Sequence, residues 1–207
     1  MGVKIKLYLL SGSMGSGKSS FLKNVLAHLQ GEKMGIIVNE FGRIACGGTT
    51  YKKKGVSYVK SNKGSVFCSC KRASLVDALE EMAEHPLKYL FIETAGLDDL
   101  ASICDVINKV AEPKREAFEY SGAINIVDGL YFLDQMENIE VLERQLLHSN
   151  LAVINKVDLI GKKTIEKIKA KILEVNPDMI IKEAQFGKFD YSFLNEDLIK
   201  GQPSNDQ

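Results

Sequence analysis

The chain has 207 residues, of which 45% are hydrophobic and 26% are charged, and its 27 basic residues balance 27 acidic ones. This composition indicates one soluble globular domain with a substantial core, and the balanced charge argues against non-specific nucleic-acid binding. No run reaches the roughly 20 apolar residues that a membrane span requires. We therefore expect a cytoplasmic protein without nucleic-acid or membrane partners, whose four cysteines are thiols or metal ligands.

Short apolar runs alternate with helical patterns along the chain. Because these runs are continuously apolar, they predict strands that are covered on both faces, as in a parallel sheet. The predicted strands are 5–10, 35–38, 56–59, 89–92, 123–127, 151–154 and 179–181. A predicted helix begins near Lys18, and others span 71–85, 98–110, 138–148 and 163–174.

The expected fold is therefore α/β, with a doubly wound, mostly parallel sheet flanked by helices. We expect residues 1–200 to form a single domain and the polar residues 201–207 to form a disordered tail. Residues 40–55 are rich in glycine and lysine without an apolar period, which predicts a mobile surface loop. The ligands of such a sheet gather at the carboxyl ends of its strands.

A glycine-rich segment, Gly12-Ser13-Met14-Gly15-Ser16-Gly17-Lys18-Ser19, lies between the first predicted strand and the first predicted helix. In that context backbone N–H groups point at phosphates, and the positive end of the helix dipole reinforces them. Lys18 can reach the outer phosphates as a catalytic charge, and the Ser19 hydroxyl can ligate Mg²⁺. The predicted nucleotide-binding residues here are Gly12, Gly15, Ser16, Gly17, Lys18, Ser19 and Ser20. The alternative is a glycine-rich turn without a ligand.

A second segment, Glu93-Thr94-Ala95-Gly96, follows the predicted strand 89–92. Glu93 could hold Mg²⁺ through a water molecule, and the Gly96 amide could contact the terminal phosphate, so both are candidate catalytic residues. Loss of that phosphate on hydrolysis would release the segment and change a partner surface. The alternative is that Glu93 is a capping carboxylate near the start of the next helix.

A third segment, Asn155-Lys156-Val157-Asp158, follows the predicted strand 151–154. Asp158 can accept two hydrogen bonds from the ring N–H and the exocyclic amine of guanine, whereas adenine offers no such pair. Asn155 would tie this loop to the glycine-rich segment, and the stem of Lys156 would cover the base. The alternative is an ordinary turn between a strand and a helix, with Asp158 as a cap.

These segments, in this order, resemble the CobW/HypB/UreG family of GTPases, which belongs to the SIMIBI class of P-loop NTPases. Met14–Ser19 resembles the family's phosphate loop, Val38–Gly42 its Asn-Glu-Phe-Gly segment and Glu93–Gly96 its Glu-Thr/Ser-x-Gly segment, and Asn155–Asp158 completes the set. By the same resemblance, Ala184 occupies the position that usually gives a backbone contact to the guanine oxygen.

The resemblance implies a protein that binds GTP and GDP with Mg²⁺ and hydrolyses GTP slowly. It also implies that the protein helps to assemble a metal or cobamide centre in a client metalloenzyme or cobamide-dependent protein. The resemblance further implies that the chain can form a homodimer. Two functions from other classes stay open: a small-molecule kinase, and a nucleotide-binding regulator without hydrolysis. A kinase would need an arginine-rich lid, and Arg115 and Arg144 lie in separate segments.

The chain departs from the family in its cysteines. Members of the CobW branch usually carry Gly-Cys-x-Cys-Cys, whereas the corresponding residues 64–68 read Gly-Ser-Val-Phe-Cys. Cys68 and Cys70 are candidate ligands of a second metal, Zn²⁺ or Co²⁺, although two thiolates fall short of the three or four protein ligands that zinc usually takes. A thiol pair without a metal is the alternative.

The chain also departs in the first switch. Gly47 stands where the CobW branch often has an acidic residue, which leaves open whether this loop coordinates Mg²⁺. Thr49 or Thr50 could substitute through a hydroxyl, but adjacent threonines are also ordinary in a loop. The run 52–54 of three lysines could belong to a partner surface, although a solvated cluster is the commoner explanation.

Overall fold

The computed structural model describes residues 4–29, 31–39, 56–61, 69–94, 100–136, 140–194 and 198–199, with backbone only at 38–39, 56–61 and 69–74. The described strands are β1 (Ile5–Ser11), β2 (Met34–Asn39), β3 (Val56–Ser61), β4 (Tyr89–Glu93), β5 (Phe118–Asp128), β6 (Leu151–Asn155) and β7 (Ile180–Glu183). The described helices are α1 (Lys18–His28), α2 (Ser69–Ala83), α3 (Leu100–Ile107), α4 (Phe132–Met136), α5 (Glu140–Leu147) and α6 (Lys162–Val175).

The described strands form one sheet in the order β3-β2-β4-β1-β5-β6-β7. Every neighbouring pair is parallel. The chain builds one side of β1 with β2, β3 and β4, and then builds the other side with β5, β6 and β7. A parallel sheet that reverses its winding at a central strand leaves a crevice at the carboxyl end of that strand.

The two faces of the sheet are covered by different helices, because residues alternate between faces along each strand. On one face Leu7 and Leu9 pack with residues of α2 and α3. On the other face Tyr8 and Leu10 pack with α1 and with the segment around Phe193. A third cluster joins β5 and β6 to α4, α5 and α6. This confirms the predicted doubly wound architecture.

The seven predicted strands are all present, and the structure corrects the prediction at two places. Strand β5 begins at Phe118, not at 123, because residues 118–122 extend the ladder with β1 although Glu119 and Tyr120 are exposed. Helix α4 was not predicted, since its five residues are too few to show a helical period.

Two predictions fall where the structure describes nothing. The loop at 40–55 and the tail at 201–207 lie outside the described residues, and the assignment of 1–200 to a single domain stays a prediction. None of the helices that the structure describes is long and apolar enough to cross a membrane.

Candidate nucleotide-binding site

The glycine-rich segment forms a tight loop between β1 and α1. Gly12, Gly15 and Gly17 all have positive φ angles, of 130°, 81° and 109°. Gly17 is the N-cap of α1, and a Cβ there would run into the side-chain amide of Asn155. Glycine is therefore required at this position by both conformation and space. The loop ends at the first turn of α1, where N–H groups that have no acceptor within the helix favour an anion.

Lys18 holds a positive charge over this loop. Its Nζ donates hydrogen bonds to the backbone oxygens of Gly12, at 2.8 Å, and Ser13, at 3.1 Å. Ser19 and Ser20 follow in the first turn of α1, and both are exposed. A cation, exposed hydroxyls and a helix amino terminus together favour a phosphate-bearing ligand.

Two buried hydroxyls, one in the loop and one at the end of β4, have no hydrogen-bond partner among the described residues. Ser16 is 0% exposed and Thr94 is 1% exposed. Neither hydroxyl makes a hydrogen bond to any residue that the structure describes. Leaving such a group unsatisfied costs about 1–3 kcal/mol, so a ligand that supplies a polar partner would remove this penalty. These residues therefore fit phosphate and its magnesium ion.

Glu93 lies at the carboxyl end of β4, which is the neighbour of β1. In the ladder it is opposite Leu10, two residues before Gly12. The Thr94 N–H donates to the Leu10 oxygen at 2.9 Å and so continues the pairing of the two segments. Glu93 is half-buried, and Gly96 lies outside the described residues.

Asn155 joins three loops at this edge of the sheet. Its side chain is buried, and its Nδ2 donates to the Ser16 oxygen at 2.8 Å. Its Oδ1 accepts a hydrogen bond from the Gly187 N–H at 2.9 Å. The link to the glycine-rich loop that the sequence predicted is therefore present, and Asn155 extends it to the loop after β7.

Lys156 is anchored by a residue that the sequence reasoning missed. Its backbone is left-handed, with φ of 63°, and its Nζ lies 2.6 Å from Oδ2 of the buried Asp128. The Nζ also lies 5.9 Å from the centroid of the Tyr131 ring. Asp128 in turn accepts a hydrogen bond from the Leu130 N–H at 3.1 Å. The available signal was an aspartate directly after the predicted strand 123–127.

Asp158 lies in the short helical turn Val157–Leu159 and is exposed. The capping alternative for this residue is wrong, because Gly161 is the N-cap of α6 and no side chain caps that helix. The Asp158 carboxylate instead stands at the carboxyl edge of the sheet, three residues after Asn155. This position leaves it accessible to a ligand in the crevice.

Ala184 does not offer the contact that the family resemblance implied. Its N–H donates to the Ile154 oxygen at 2.8 Å, and its oxygen accepts from the Val157 N–H at 3.3 Å. The residue is buried and continues the pairing of β6 and β7. Ala184 therefore positions the loop of Asp158, while its own amide is used within the sheet.

The predicted second metal site lies outside what the structure describes. Cys68 is not described, and Cys70 is placed only by its backbone in the first turn of α2. No group of three or more histidine, cysteine, aspartate or glutamate side chains that could hold a metal ion occurs within the described ranges. Gly47, Thr49 and Thr50 also fall outside those ranges.

The chain is similar to known nucleotide-binding proteins. Residues 6–182 match the family description "CobW/HypB/UreG, nucleotide-binding domain". The chain is 23% identical over 195 residues to a protein from Escherichia coli named zinc chaperone YjiA. The matched region covers 92% of this chain and 60% of that protein. It is 22% identical over 211 residues to zinc-regulated GTPase metalloprotein activator 1 from Dictyostelium discoideum, covering 84% of this chain and 44% of that protein.

A solved structure shares the fold. The crystal structure of the Zn(II)-bound YjiA GTPase from E. coli matches with a TM-score of 0.68 and 21% identity. The aligned region covers 92% of this chain and 61% of that chain. The chain thus spans less than two thirds of the length of the relatives described above. Since the family match covers most of its residues, the chain belongs to the CobW/HypB/UreG family and carries that family's nucleotide-binding domain.

Proposed function

We propose that the chain binds GTP and hydrolyses it to GDP and phosphate, as the switch of a metallochaperone that serves a client protein. One observation supports the proposal: the Asn155 side chain joins the glycine-rich loop to the loop after β7, and Asn155 is three residues before Asp158. A phosphate loop alone would accept any nucleoside triphosphate, whereas a nearby carboxylate that accepts two hydrogen bonds from guanine would make GTP the best ligand.

The triphosphate would be bound by backbone N–H groups of Gly15, Ser16, Gly17 and Lys18, by the Lys18 ammonium and by the first turn of α1, including Ser19 and Ser20. Ser19 and Glu93 would hold Mg²⁺, which supplies positive charge to the phosphate oxygens. The guanine would be bound by Asp158, with the stem of Lys156 on the ring and Asn155 and Ala184 as the supports of the loop.

Lys18 and the loop amides would stabilise the charge that develops on the transferring phosphoryl group. The Gly96 amide is proposed as a contact to the terminal phosphate, so that hydrolysis releases its segment. Among the described residues no side chain stands out as the group that positions the attacking water. Slow turnover in the isolated protein follows, and a client or a second copy of the chain would accelerate it.

The cargo is proposed to be zinc, because the two relatives described above carry zinc in their names. Cys68 and Cys70 are the proposed thiolate ligands, with Co²⁺ as an alternative metal. Service to a cobamide centre stays a prediction from the family resemblance. The cytoplasm is the proposed location, since a thiolate site requires reduced cysteines.

The two arginines whose side chains the structure describes, Arg115 and Arg144, do not support the kinase alternative. Arg115 lies before β5, at the amino edge of the sheet, and forms an ion pair with Glu112. Arg144 lies on α5, which ends before β6 begins. Neither residue is at the carboxyl edge, where a lid over the phosphates would have to close.

Phosphate release with GTP and with ATP tests the proposal. We expect slow release from GTP with Mg²⁺, little from ATP, and at least a tenfold lower rate with GTP after Lys18→Ala, because the charge on the outer phosphates is lost. Nucleotide binding without any turnover would favour the regulator, and equal rates with the two nucleotides would contradict the proposal.

A further inference from the structure

We propose that Phe186 stacks on the purine ring of the bound nucleotide and forms one wall of the base pocket. The inference rests on the proposed function and adds an affinity-determining residue to the same site. It starts from the backbone of the turn after β7, where a bulky aromatic residue occupies a conformation that rarely accepts one.

The turn consists of Gln185, Phe186, Gly187 and Lys188. Gln185 and Lys188 exchange two backbone hydrogen bonds, of 3.3 Å and 2.9 Å. The two central residues have φ angles of 54° and 70°. Two left-handed central residues are the pattern of a type I′ hairpin turn, which strongly prefers Asn-Gly. A phenylalanine at the first of these positions is strained, and such strain is concentrated at functional sites.

Several contacts fix the turn in place. The Asn24 Nδ2 on α1 donates to the Phe186 oxygen at 2.8 Å, and the Gly187 N–H donates to Asn155. The Tyr191 hydroxyl donates to the Gly187 oxygen at 2.5 Å. Burial raises the pKa of Tyr191 to about 12, so the phenol keeps this proton at neutral pH. The backbone that carries Phe186 is therefore held from three sides.

The side chain of Phe186 is nevertheless left at the surface. It is 69% exposed, whereas Tyr191 and Phe193, in the same segment, are buried in the aromatic cluster with Phe21. The sequence thus places a strained aromatic residue in water although core positions for aromatic residues lie close by. A ligand that covers the Phe186 ring would explain why an aromatic residue occupies this exposed position.

The position of the turn identifies the ligand. Asn155 contacts both Ser16 in the phosphate loop and Gly187 in the turn, and it is three residues before Asp158. A nucleotide with its phosphates on the glycine-rich loop and its base on Asp158 therefore has its ring beside this turn. Aromatic stacking accepts any purine, so Phe186 would add affinity while Asp158 selects guanine.

Two substitutions at this position separate binding from structure. Phe186→Asn introduces the residue that the turn prefers, so we expect a higher melting temperature without nucleotide. Because the substitution also removes the stacked ring, we expect a dissociation constant for GDP about tenfold higher or more. Phe186→Trp introduces the only tryptophan of the chain. We expect it to bind GDP as tightly as the wild type and to lose indole fluorescence on binding.

Leu147 supplies matched controls, because it is 55% exposed and lies at the end of α5, before β6 begins. Leu147→Asn and Leu147→Trp should leave the dissociation constant for GDP and the indole fluorescence unchanged. Binding is measured by calorimetry with GDP, and fluorescence is read at saturating GDP.

The outcomes distinguish this inference from the proposed function. If the wild type binds GDP and Phe186→Asn binds it equally well, stacking is overturned while the proposed function stands. Unchanged fluorescence of Phe186→Trp at saturation would also overturn it. If the wild type binds no guanine nucleotide, both proposals fall together.

Discussion

Lys156 is held in place by a carboxylate outside its own motif. Asp128 lies 28 positions earlier in the chain and is 2% exposed. Its Oδ2 accepts a hydrogen bond from the Lys156 Nζ at 2.6 Å. A charge-assisted hydrogen bond to a buried carboxylate restricts a side chain that would otherwise be free to rotate. Since the Lys156 backbone is also left-handed, the stem of the lysine is set before the base arrives.

Asp128→Asn tests this positioning role. The substitution keeps the shape of the side chain but removes the charge that holds Lys156. We expect the dissociation constant for GDP to rise roughly 5- to 30-fold, equivalent to about 1–2 kcal/mol, with the preference for GDP over ADP retained because Asp158 is intact. Calorimetric titration measures both effects.

The exposed Asp134 on α4 provides the control for that experiment. Asp134→Asn removes an exposed carboxylate six residues further along the chain and should leave the dissociation constant unchanged. An Asp128→Asn variant with wild-type affinity would show that Lys156 needs no anchor.

The loops after β1, β6 and β7 act as one unit because the Asn155 side chain bridges them. The unit depends on glycine at position 17, because a Cβ atom there would lie 2.3 Å from the Asn155 Nδ2. The glycine-rich loop and the loop of Asp158 are therefore coupled by packing as well as by hydrogen bonds. A disturbance of one should weaken the binding of the whole nucleotide.

Gly17→Ala tests the coupling between these loops. The new methyl group would displace Asn155, so we expect nucleotide affinity to fall at least tenfold, because both the phosphate loop and the loop of Asp158 lose their common support. Calorimetry with GDP measures the change.

Gly31→Ala is the matched control, because Gly31 also has a positive φ, of 96°, but a Cβ there would meet no described atom within 4 Å apart from its own chain neighbours. It introduces backbone strain of the same kind in the turn before β2. Both variants should lose stability, and only Gly17→Ala should lose affinity. Equal affinities in the two variants would contradict the coupling.

The fold could be predicted from the sequence because its signals are local. Strands β1, β4 and β6 are mostly apolar, and each motif lies at or directly after the carboxyl end of one of them. The prediction failed where a residue's position depends on a contact that is distant in sequence, or where an element is too short to show a periodic pattern. The pairing of Asp128 with Lys156, the use of the Ala184 amide within the sheet, and the turn at Phe186 all depend on neighbours that only the assembled sheet provides.

Nucleotide binding should stabilise the whole molecule, since the proposed site uses loops from both halves of the sheet. A ligand at about 100 times its dissociation constant adds about 2.7 kcal/mol to the free energy of unfolding. For a domain of this size that corresponds to a rise of about 5–10 °C in melting temperature. The thermal shift therefore reports on nucleotide choice without any need for turnover.

The central claim is that Asp158 selects guanine for a nucleotide held by the glycine-rich loop. Its most direct test is the melting temperature of the wild type and of Asp158→Ala with GTP and with ATP, each with Mg²⁺ at the same concentration. We predict a clear rise with GTP and little with ATP for the wild type, and equally small rises with both for Asp158→Ala. A variant that keeps the wild-type preference for GTP would contradict the account.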